Sequence, residues 1–262
     1  MKKLNQADRM KDCAQVHMFG LDYCACTLTE AAQMVVHAAR SKTKGLIVTP
    51  NVDHVVSMQK DAEMFGLYQQ AMFRFADGMP LVWFSKILRG HSLPERVTGA
   101  DLLPEIARLA ALKGLTLYFL GGMPGVAEKA ALKLKRSYPL LRVVGTYSPP
   151  FGFDKDSTES ERIVDMINAS GADILFVGVG APKQEKWAAQ YMARLNVGPI
   201  LGVGASFDFA AGTIKRAPLW MQRSGMEWSW RLMQEPGRMW KRYILKDSQF
   251  VWLMVRELMK SR

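Results

Sequence analysis

The stretch ADILFVGVGAPKQEKW, Ala172–Trp187, decides the fold of this chain. Its first part is an apolar run, and Pro182 stands where a helix would begin. A strand that is apolar throughout is expected when helices cover both faces of a sheet. Lys183, Gln184 and Glu185 then place three long polar side chains at the end of that strand. An ordinary solvated helix start would explain them, and so would a ligand with charged or hydrogen-bonding groups that docks there.

The same alternation of apolar runs and helical patterns continues along most of the chain. With short connections it predicts an α/β fold, a mostly parallel sheet flanked by helices in a Rossmann-like arrangement. The predicted strands are Val16–Tyr23, Gly45–Pro50, Phe73–Ala76, Leu115–Leu120, Arg142–Tyr147, Ile174–Val179 and Pro199–Val203. The predicted helices are Leu28–Arg40, Val52–Gln70, Pro80–Leu88, Ala100–Leu112, Val126–Ser137, Glu159–Ala169 and Pro182–Leu195.

The net charge of +11 is unevenly distributed. From Thr213 to Arg262 the chain carries 11 Lys and Arg against 4 Asp and Glu, together with five of its seven tryptophans. A basic, Trp-rich, helical segment is typical of a region that lies on an anionic membrane surface. A nucleic-acid surface is the competing interpretation of the charge, but no nucleic-acid-binding module is recognised. We therefore predict an α/β core over residues 1–212 and a basic helical membrane-docking appendage over residues 213–262.

Composition argues against several other classes of protein. There is no apolar run of roughly 18 residues, so we expect no membrane-spanning helix, and no apolar segment follows the basic N-terminus as in a secretory signal. Cys13, Cys24 and Cys26 give no disulfide framework, and their spacing with His17 fits no common zinc site. We expect reduced cysteines in a cytosolic protein and assign no metal.

Glycine and polar residues follow the predicted strands. In an open parallel sheet, ligands bind beyond the carboxyl ends of the strands, so these residues are expected to surround one crevice. Glycines there let backbone N–H groups approach a phosphate, although they also permit tight turns without any ligand. The strand-end residues are Thr49 and Asn51 in TPN, Asp77 and Gly78 in ADG, the pair Gly121 and Gly122, Gly178 and Gly180 in GVGAPKQE, and Gly204 and Asp208 in GVGASFD.

Two of these segments resemble incomplete dinucleotide fingerprints. GVGAPK and GVGASF both lack the third glycine of G-x-G-x-x-G, and both come late in the chain rather than after the first strand. They leave a nicotinamide-dependent oxidoreductase as the alternative function.

Three of the strand-end polar residues have two interpretations each. Asp77 is suited to cap the helix that follows it or to act as a general base at the crevice. Thr49 and Asn51 are similarly ambiguous, because Asn51 is placed to cap the next helix.

A second group of charged residues lies outside the strand ends. Thr98 and Asp101 resemble a helix cap with an acidic first turn, which leaves Arg96 unexplained. An arginine at this rim can bind a phosphate or a carboxylate through two hydrogen bonds. Asp154 and Asp156 form a D-x-D motif, but their turn-rich surroundings favour a loop and a helix cap over a metal site.

The ordered set TPN, ADGMPLVW, ERVTGADLL, FLGG, GAPKQE, GVGASFDFAAG, KRAP and EWSWRL resembles the WecG/TagA/CpsF family of bacterial glycosyltransferases. The resemblance runs from about Gly20 to about Tyr243. It implies transfer of a sugar, with inversion, from a UDP-sugar to a polyprenyl-diphosphate-linked sugar in cell-surface polysaccharide synthesis. It also implies an enzyme at the inner face of the cytoplasmic membrane that needs neither a metal nor a cofactor.

The resemblance also implies roles for individual residues. Asp77 matches the proposed general base, and Thr49, Asn51 and Arg96 match other active-site positions. Gln184 matches a glutamine that helps to form the nucleotide-sugar pocket. Functional arginines of the appendage match Arg216, Arg231 and Arg238. The donor sugar, which in the family is N-acetylmannosamine, its uronic acid or glucose, is not fixed by the sequence, and a homo-oligomer remains open.

Overall fold

The computed structural model describes residues 13–88, 90–223, 225–234, 237 and 247–260 of the chain. Its strands are β1 Gln15–Met18, β2 Leu21–Cys24, β3 Gly45–Val48, β4 Phe73–Arg74, β5 Thr116–Gly121, β6 Arg142–Tyr147, β7 Ile174–Gly178 and β8 Pro199–Gly202. Six of them form a sheet in the order β4-β3-β8-β7-β5-β6, in which every neighbouring pair is parallel. The predicted α/β class with a mostly parallel sheet is confirmed.

Helices connect the strands and follow the last one. The helices are Leu28–Arg40, Val52–Met58, Ala62–Gln70, Met79–Ser85, Gly99–Lys113, Val126–Ser137, Ser157–Ser170, Lys183–Tyr191, Ser206–Ala211, Leu219–Arg223, Glu227–Gln234 and Asp247–Lys260, with a short 3₁₀ turn at Phe153–Lys155. Within the described residues, no helix combines the length and the apolar character that crossing a bilayer requires.

The sheet separates two apolar cores. Along β7, Leu175 and Val177 pack into one core, while Ile174 and Phe176 pack into the other. Successive side chains of a strand point to opposite faces, so an entirely apolar strand must be covered on both sides. This is the physical reason for the uninterrupted apolar run before Gly178.

The prediction of one strand over Val16–Tyr23 is wrong, because this segment folds back on itself. It forms the antiparallel pair β1 and β2. The reversal lies at Phe19 and Gly20, whose φ angles are 54° and 76°. A glycine takes such an angle without strain, and a Cβ at Gly20 would lie 2.9 Å from the ring of Phe65.

The predicted helix Val52–Gln70 is divided into two shorter helices. Residues 59–61 leave the helical path, and Asp61 begins the second helix, with its carboxylate accepting a hydrogen bond from the N–H of Met64 at 2.9 Å. An Asp side chain stabilises a helix start better than a helix interior. The interruption turns Ala62–Gln70 toward the helix Lys183–Tyr191, which it contacts.

The helix Asp247–Lys260 packs against the core. Phe250 and Leu253 are buried in the same apolar core as the hairpin, and the Phe250 ring lies 5.3 Å from that of Phe19. The N–H of Phe19 donates to the Glu257 carboxylate at 2.7 Å. Part of the segment predicted as an appendage therefore covers the core, and the predicted boundary near residue 212 stays a prediction.

Candidate active site

Four adjacent strands end at the edge of the sheet where the predicted site residues lie. In the order β4, β3, β8, β7 they lead into Asp77, Asn51, Gly204 and Gly180. Hydrogen bonds tie neighbouring ends together: the N–H of Asp77 donates to the carbonyl of Pro50 at 2.9 Å, and the N–H of Val203 donates to that of Val177 at 2.9 Å. Parallel pairing thus brings the predicted residues to one edge of the sheet, from loops that are distant in sequence.

Thr49 and Asn51 directly follow β3. Thr49 is buried, and the Asn51 side chain accepts a hydrogen bond from the N–H of His54 at 3.1 Å. Asn51 therefore caps the helix Val52–Met58, which is one of its two predicted interpretations. The cap fixes the position of the Asn51 side chain beside the strand end, and its role toward a ligand stays a prediction.

Asp77 is not the N-cap of the helix that follows it. The N-cap of that helix, Met79–Ser85, is Gly78, whose φ of 132° is accessible to glycine and hardly to other residues. The capping interpretation of Asp77 is therefore wrong. Asp77 is half-buried at the end of β4, next to the end of β3 through its N–H bond to Pro50, and its role as a base stays a prediction.

The glycines of the strand ends fall into two groups. A Cβ at Gly121 would lie 2.5 Å from the carbonyl oxygen of Gly178, and one at Gly178 would lie 2.7 Å from the Phe207 ring. These two glycines are needed for close packing of the strand ends. Gly180 and Gly204 have φ angles of 89° and 51° and open space where a side chain would stand, so a ligand can approach the backbone there.

Lys183 lies at the outer side of the same edge. Its ammonium group is 3.6 Å from the Asp154 carboxylate and 4.8 Å from the centroid of the exposed Phe151 ring. Asp156 caps the helix Ser157–Ser170 through the N–H of Glu159 at 3.1 Å. The D-x-D motif thus forms a helix cap and an ion pair, and the described part of the chain holds no cluster of three metal-binding side chains.

Gln184 and Glu185 are buried beneath the end of β8, with exposed fractions of 3% and 1%. The Gln184 carbonyl oxygen accepts a hydrogen bond from the N–H of Gly204 at 3.0 Å, and its amide nitrogen donates to Glu185 at 2.8 Å. The Tyr68 hydroxyl donates to the same Glu185 oxygen at 3.2 Å. Burial raises the pKa of the Glu185 carboxyl above its usual range.

Arg96 belongs to a cluster of two arginines and two carboxylates. Its guanidinium lies 2.6 Å from the Glu227 carboxylate and 3.8 Å from that of Asp101. Arg216 pairs with Asp101 through two hydrogen bonds and lies 3.4 Å from Glu227. Glu227 therefore bridges both guanidinium groups, as a phosphate group would. Gln222 completes the cluster by accepting from Arg96 at 3.2 Å.

Ion pairing with Arg216 lowers the pKa of Asp101. Burial acts to raise the pKa of Asp101, but the hydrogen bonds and charge of Arg216 outweigh it, so the pKa lies below its ordinary value. Thr98 caps the helix Gly99–Lys113, with its hydroxyl accepting from the N–H of Asp101 at 3.1 Å. The predicted cap is confirmed, and Asp101 has a second role as the partner of Arg216.

The remaining predicted binding residues either do not directly follow β3, β4, β7 or β8, or have side chains that the structure does not describe. Asp208 accepts hydrogen bonds from Thr213 at the end of the helix Ser206–Ala211. Gly122 follows β5, and its N–H donates to the carbonyl of Gly178 at 3.0 Å. Arg231 is in the helix Glu227–Gln234 with its side chain outside the description, and Arg238 lies outside the described residues.

Sequence reasoning missed Tyr68, Gln222 and Glu227 as members of this region. In the sequence, Glu227 stands four residues before Arg231, a spacing that suits an ion pair on one face of a helix. Its contact with Arg96 spans 131 residues, and no local pattern encodes such a contact. Glu227 is the first residue of the EWSWRL motif, which is the one signal of function that marks it.

Comparison with known proteins identifies the family of this chain. The model of the glycosyl transferase WecG/TagA/CpsF family matches residues 16–262. A relative from Bacillus subtilis (strain 168), named N-acetylglucosaminyldiphosphoundecaprenol N-acetyl-beta-D-mannosaminyltransferase, is 31% identical over 208 residues. The match covers 79% of this chain and 78% of the relative. The chain therefore belongs to the WecG/TagA/CpsF family and is a glycosyltransferase.

Proposed function

We propose that the enzyme transfers an N-acetylmannosamine-type sugar from a UDP-sugar to a sugar linked to undecaprenyl diphosphate. The observation that carries this is that Asp77 and the open backbone of Gly180 and Gly204 follow strands that end at the same edge of the sheet. The name of the Bacillus subtilis relative specifies the same donor residue and an N-acetylglucosaminyl-diphosphate lipid acceptor. The family assignment leaves the oxidoreductase alternative without support.

Asp77 acts as the base in this proposal. Its carboxylate takes the proton of the acceptor hydroxyl while that oxygen forms a bond to the anomeric carbon of the donor. The bond from the anomeric carbon to the diphosphate breaks, and its electron pair leaves on UDP. Attack opposite to the leaving group inverts the anomeric centre.

Arginines stabilise the departing diphosphate. Arg96 is close to the end of β4, because the N–H of the next residue, Val97, donates to the carbonyl of Ala76 at 2.8 Å. Arg96 and Arg216 share the carboxylate of Glu227, and guanidinium groups bind phosphate in the same way, through two hydrogen bonds. Arg231 and Arg238 extend this set on the basis of the family resemblance. The proposal includes no metal and no cofactor.

The C-terminal helix contacts the inner face of the cytoplasmic membrane. Val251, Trp252, Val255 and Met259 of the helix Asp247–Lys260 are exposed, while Phe250 and Leu253 on its other side are buried. The surrounding segment, residues 213–262, carries 11 Lys and Arg against 4 Asp and Glu. An apolar stripe in a basic segment suits an anionic lipid surface, and such contact brings the enzyme to its lipid acceptor.

A donor panel tests the function. The purified enzyme is incubated with an N-acetylglucosaminyl-diphosphate polyprenol and labelled UDP-N-acetylmannosamine, UDP-N-acetylglucosamine, UDP-N-acetylmannosaminuronic acid or UDP-glucose. We expect label in the lipid product with the first donor above the others, and an inverted anomeric centre by NMR. Absence of transfer from every UDP-sugar would overturn the proposal, and a retained configuration would overturn the role of Asp77.

A further inference from the structure

The buried pair Gln184 and Glu185 lies directly beneath the strand end that borders the open edge. A Cβ at Gly202 of β8 would lie 2.7 Å from the Gln184 amide nitrogen and 3.0 Å from a Glu185 carboxyl oxygen. Only a glycine leaves room for both side chains beneath the strand. The first turn of a helix is usually solvated, so burying an amide and a carboxyl group here needs a reason beyond helix formation.

The orientation of the Gln184 amide is fixed from both sides. The backbone N–H of Gly204 can only donate, so the amide oxygen must face it, at 3.0 Å. The amide nitrogen then faces Glu185 and donates to its oxygen at 2.8 Å. In the reversed orientation, the amide nitrogen of Gln184 would face the N–H of Gly204, and its oxygen would face the Glu185 carboxyl oxygen. Glu185 disfavours that orientation because its oxygen accepts a hydrogen bond from the amide nitrogen.

Glu185 also joins this pair to the neighbouring strand ends. The oxygen that accepts from Gln184 accepts from the Tyr68 hydroxyl at 3.2 Å, and that hydroxyl lies 3.3 Å from Nδ1 of His54. His54 belongs to the helix that Asn51 caps. A single carboxyl oxygen therefore links the residues that follow β3, β7 and β8.

We propose that Glu185 is a positioning residue, which holds the Gln184 amide in the orientation that shapes the Gly204 turn for the sugar nucleotide. Gln184 is buried and both ends of its amide are engaged, so its effect on the donor passes through the Gly204 backbone. Gly204 itself has open space where a side chain would stand. This inference rests on the proposed function, in which the donor binds at this edge.

Two substitutions of Glu185 distinguish its role in positioning the Gln184 amide from the role of its side chain in filling space. Glu185→Gln keeps a carbonyl oxygen that accepts from Gln184 and Tyr68, and we expect a KM for the UDP-sugar within about twofold of wild type. Glu185→Met keeps the length of the side chain but accepts neither hydrogen bond. For this variant we expect the KM for the donor and the Kd for UDP to rise about tenfold, with kcat within about threefold.

A double-mutant cycle tests the route through Gln184. If Glu185 acts through the amide, Glu185→Met changes the Kd for UDP by less than about twofold in a Gln184→Met background. Glu257→Met is the matched control, because Glu257 is likewise a buried carboxylate that accepts a hydrogen bond, here from the backbone N–H of Phe19. We expect this control to lower the melting temperature and leave the Kd for UDP unchanged.

The outcomes distinguish this inference from the proposed function. The inference is overturned if Glu185→Met binds UDP as wild type does, or if Glu185→Gln weakens UDP binding as much as Glu185→Met. It is also overturned if Glu185→Met raises the Kd for UDP by the same factor in the Gln184→Met background as in the wild type. Any of these results leaves the transfer activity of the wild-type enzyme in place. Wild-type enzyme that binds neither UDP nor a UDP-sugar overturns the proposed function and this inference with it.

Discussion

Arg96 and Glu227 form an ion pair at 2.6 Å between the rim of the core and the segment that follows residue 212. Both side chains are largely buried, with exposed fractions of 15% and 13%. Together with Asp101 and Arg216 they form a cluster in which two positive charges meet two negative ones. A phosphate that enters this cluster therefore has to displace a carboxylate, and Glu227, which bridges both arginines, is the direct competitor.

Glu227→Gln is expected to tighten UDP binding. The neutral amide binds guanidinium groups more weakly than a carboxylate does, so Arg96 and Arg216 become more available to the diphosphate. We expect the Kd for UDP, measured by calorimetry at low salt, to fall roughly threefold to tenfold. Glu105→Gln is the control, since Glu105 also pairs with an arginine, Arg108, but outside this cluster. Weaker UDP binding by Glu227→Gln would show that Glu227 supports the site rather than competing for it.

Asp101→Asn is expected to lower stability at neutral pH and to have less effect in acid. The pKa of Asp101 in the folded protein lies below its ordinary value, so the carboxylate stabilises the fold above the unfolded pKa of about 3.9. That contribution is lost as pH falls through the folded pKa. Urea unfolding should give a loss on the order of 2 kcal/mol at pH 7. The difference between variant and wild type in the free energy of unfolding should shrink below about pH 4. The same difference at neutral and acid pH would contradict the ion-pair explanation.

Asp77→Asn is expected to remove catalysis and spare donor binding. The amide has nearly the shape of the carboxylate but cannot accept the proton of the acceptor hydroxyl. We expect the transfer rate to fall about 100-fold or more, with the Kd for UDP within about threefold of wild type. The melting temperature of the variant serves as the control for folding. A variant with wild-type turnover would exclude Asp77 as the base.

Gly178→Ala is expected to be strongly destabilising. A Cβ there would lie 2.7 Å from the Phe207 ring and 2.8 Å from the carbonyl oxygen of Gly204, so the end of β7 would have to move away from the loop and helix that follow β8. We expect a loss of about 3 kcal/mol in the free energy of unfolding, measured in urea. Gly66→Ala is the control, because this helical glycine has open space around the added atom, and alanine there should stabilise by up to about 1 kcal/mol. Equal effects at the two sites would contradict the packing argument.

Trp252→Ser with Val255→Ser is expected to weaken binding to anionic liposomes. Both side chains are exposed on the helix Asp247–Lys260, so the change removes apolar area from the proposed membrane contact without opening the core. We expect at least a tenfold loss in sedimentation with vesicles of phosphatidylglycerol and phosphatidylcholine. Leu132→Ser, at an exposed position on the helix Val126–Ser137, is the control and should bind as wild type does. Unchanged binding by the double variant would remove this helix from the membrane contact.

The sheet and the edge where its strands end could be predicted, because each strand is recognised from its own short run of apolar residues. A strand such as β7 is apolar throughout, and parallel strands must end at one edge, so Asp77, Asn51 and Gly204 follow from the order of the motifs. The hairpin could not be predicted in the same way. The apolar residues on both sides of Phe19 and Gly20 hide the turn, since the preference for a strand continues through it.

The partners within the site could not be predicted, for two reasons. Arg96 meets Glu227 across 131 residues, and only the packing of the segment after residue 212 brings them together. Gln184 and Glu185 occupy the first turn of a helix, where solvent exposure is the general expectation. Their burial depends on the missing side chain of Gly202 on a different strand.

The hydrogen bond from Phe19 to Glu257 has a consequence for synthesis of the protein. Phe19 leaves the ribosome long before Glu257 does, so during translation the hairpin lacks the helix that will later cover it. Domains begin to fold from the N-terminal side while the chain is still growing. Throughout that interval the Phe19 ring lacks its contact with Phe250, and the nascent chain presents an apolar surface on which chaperones can act until the last helix docks.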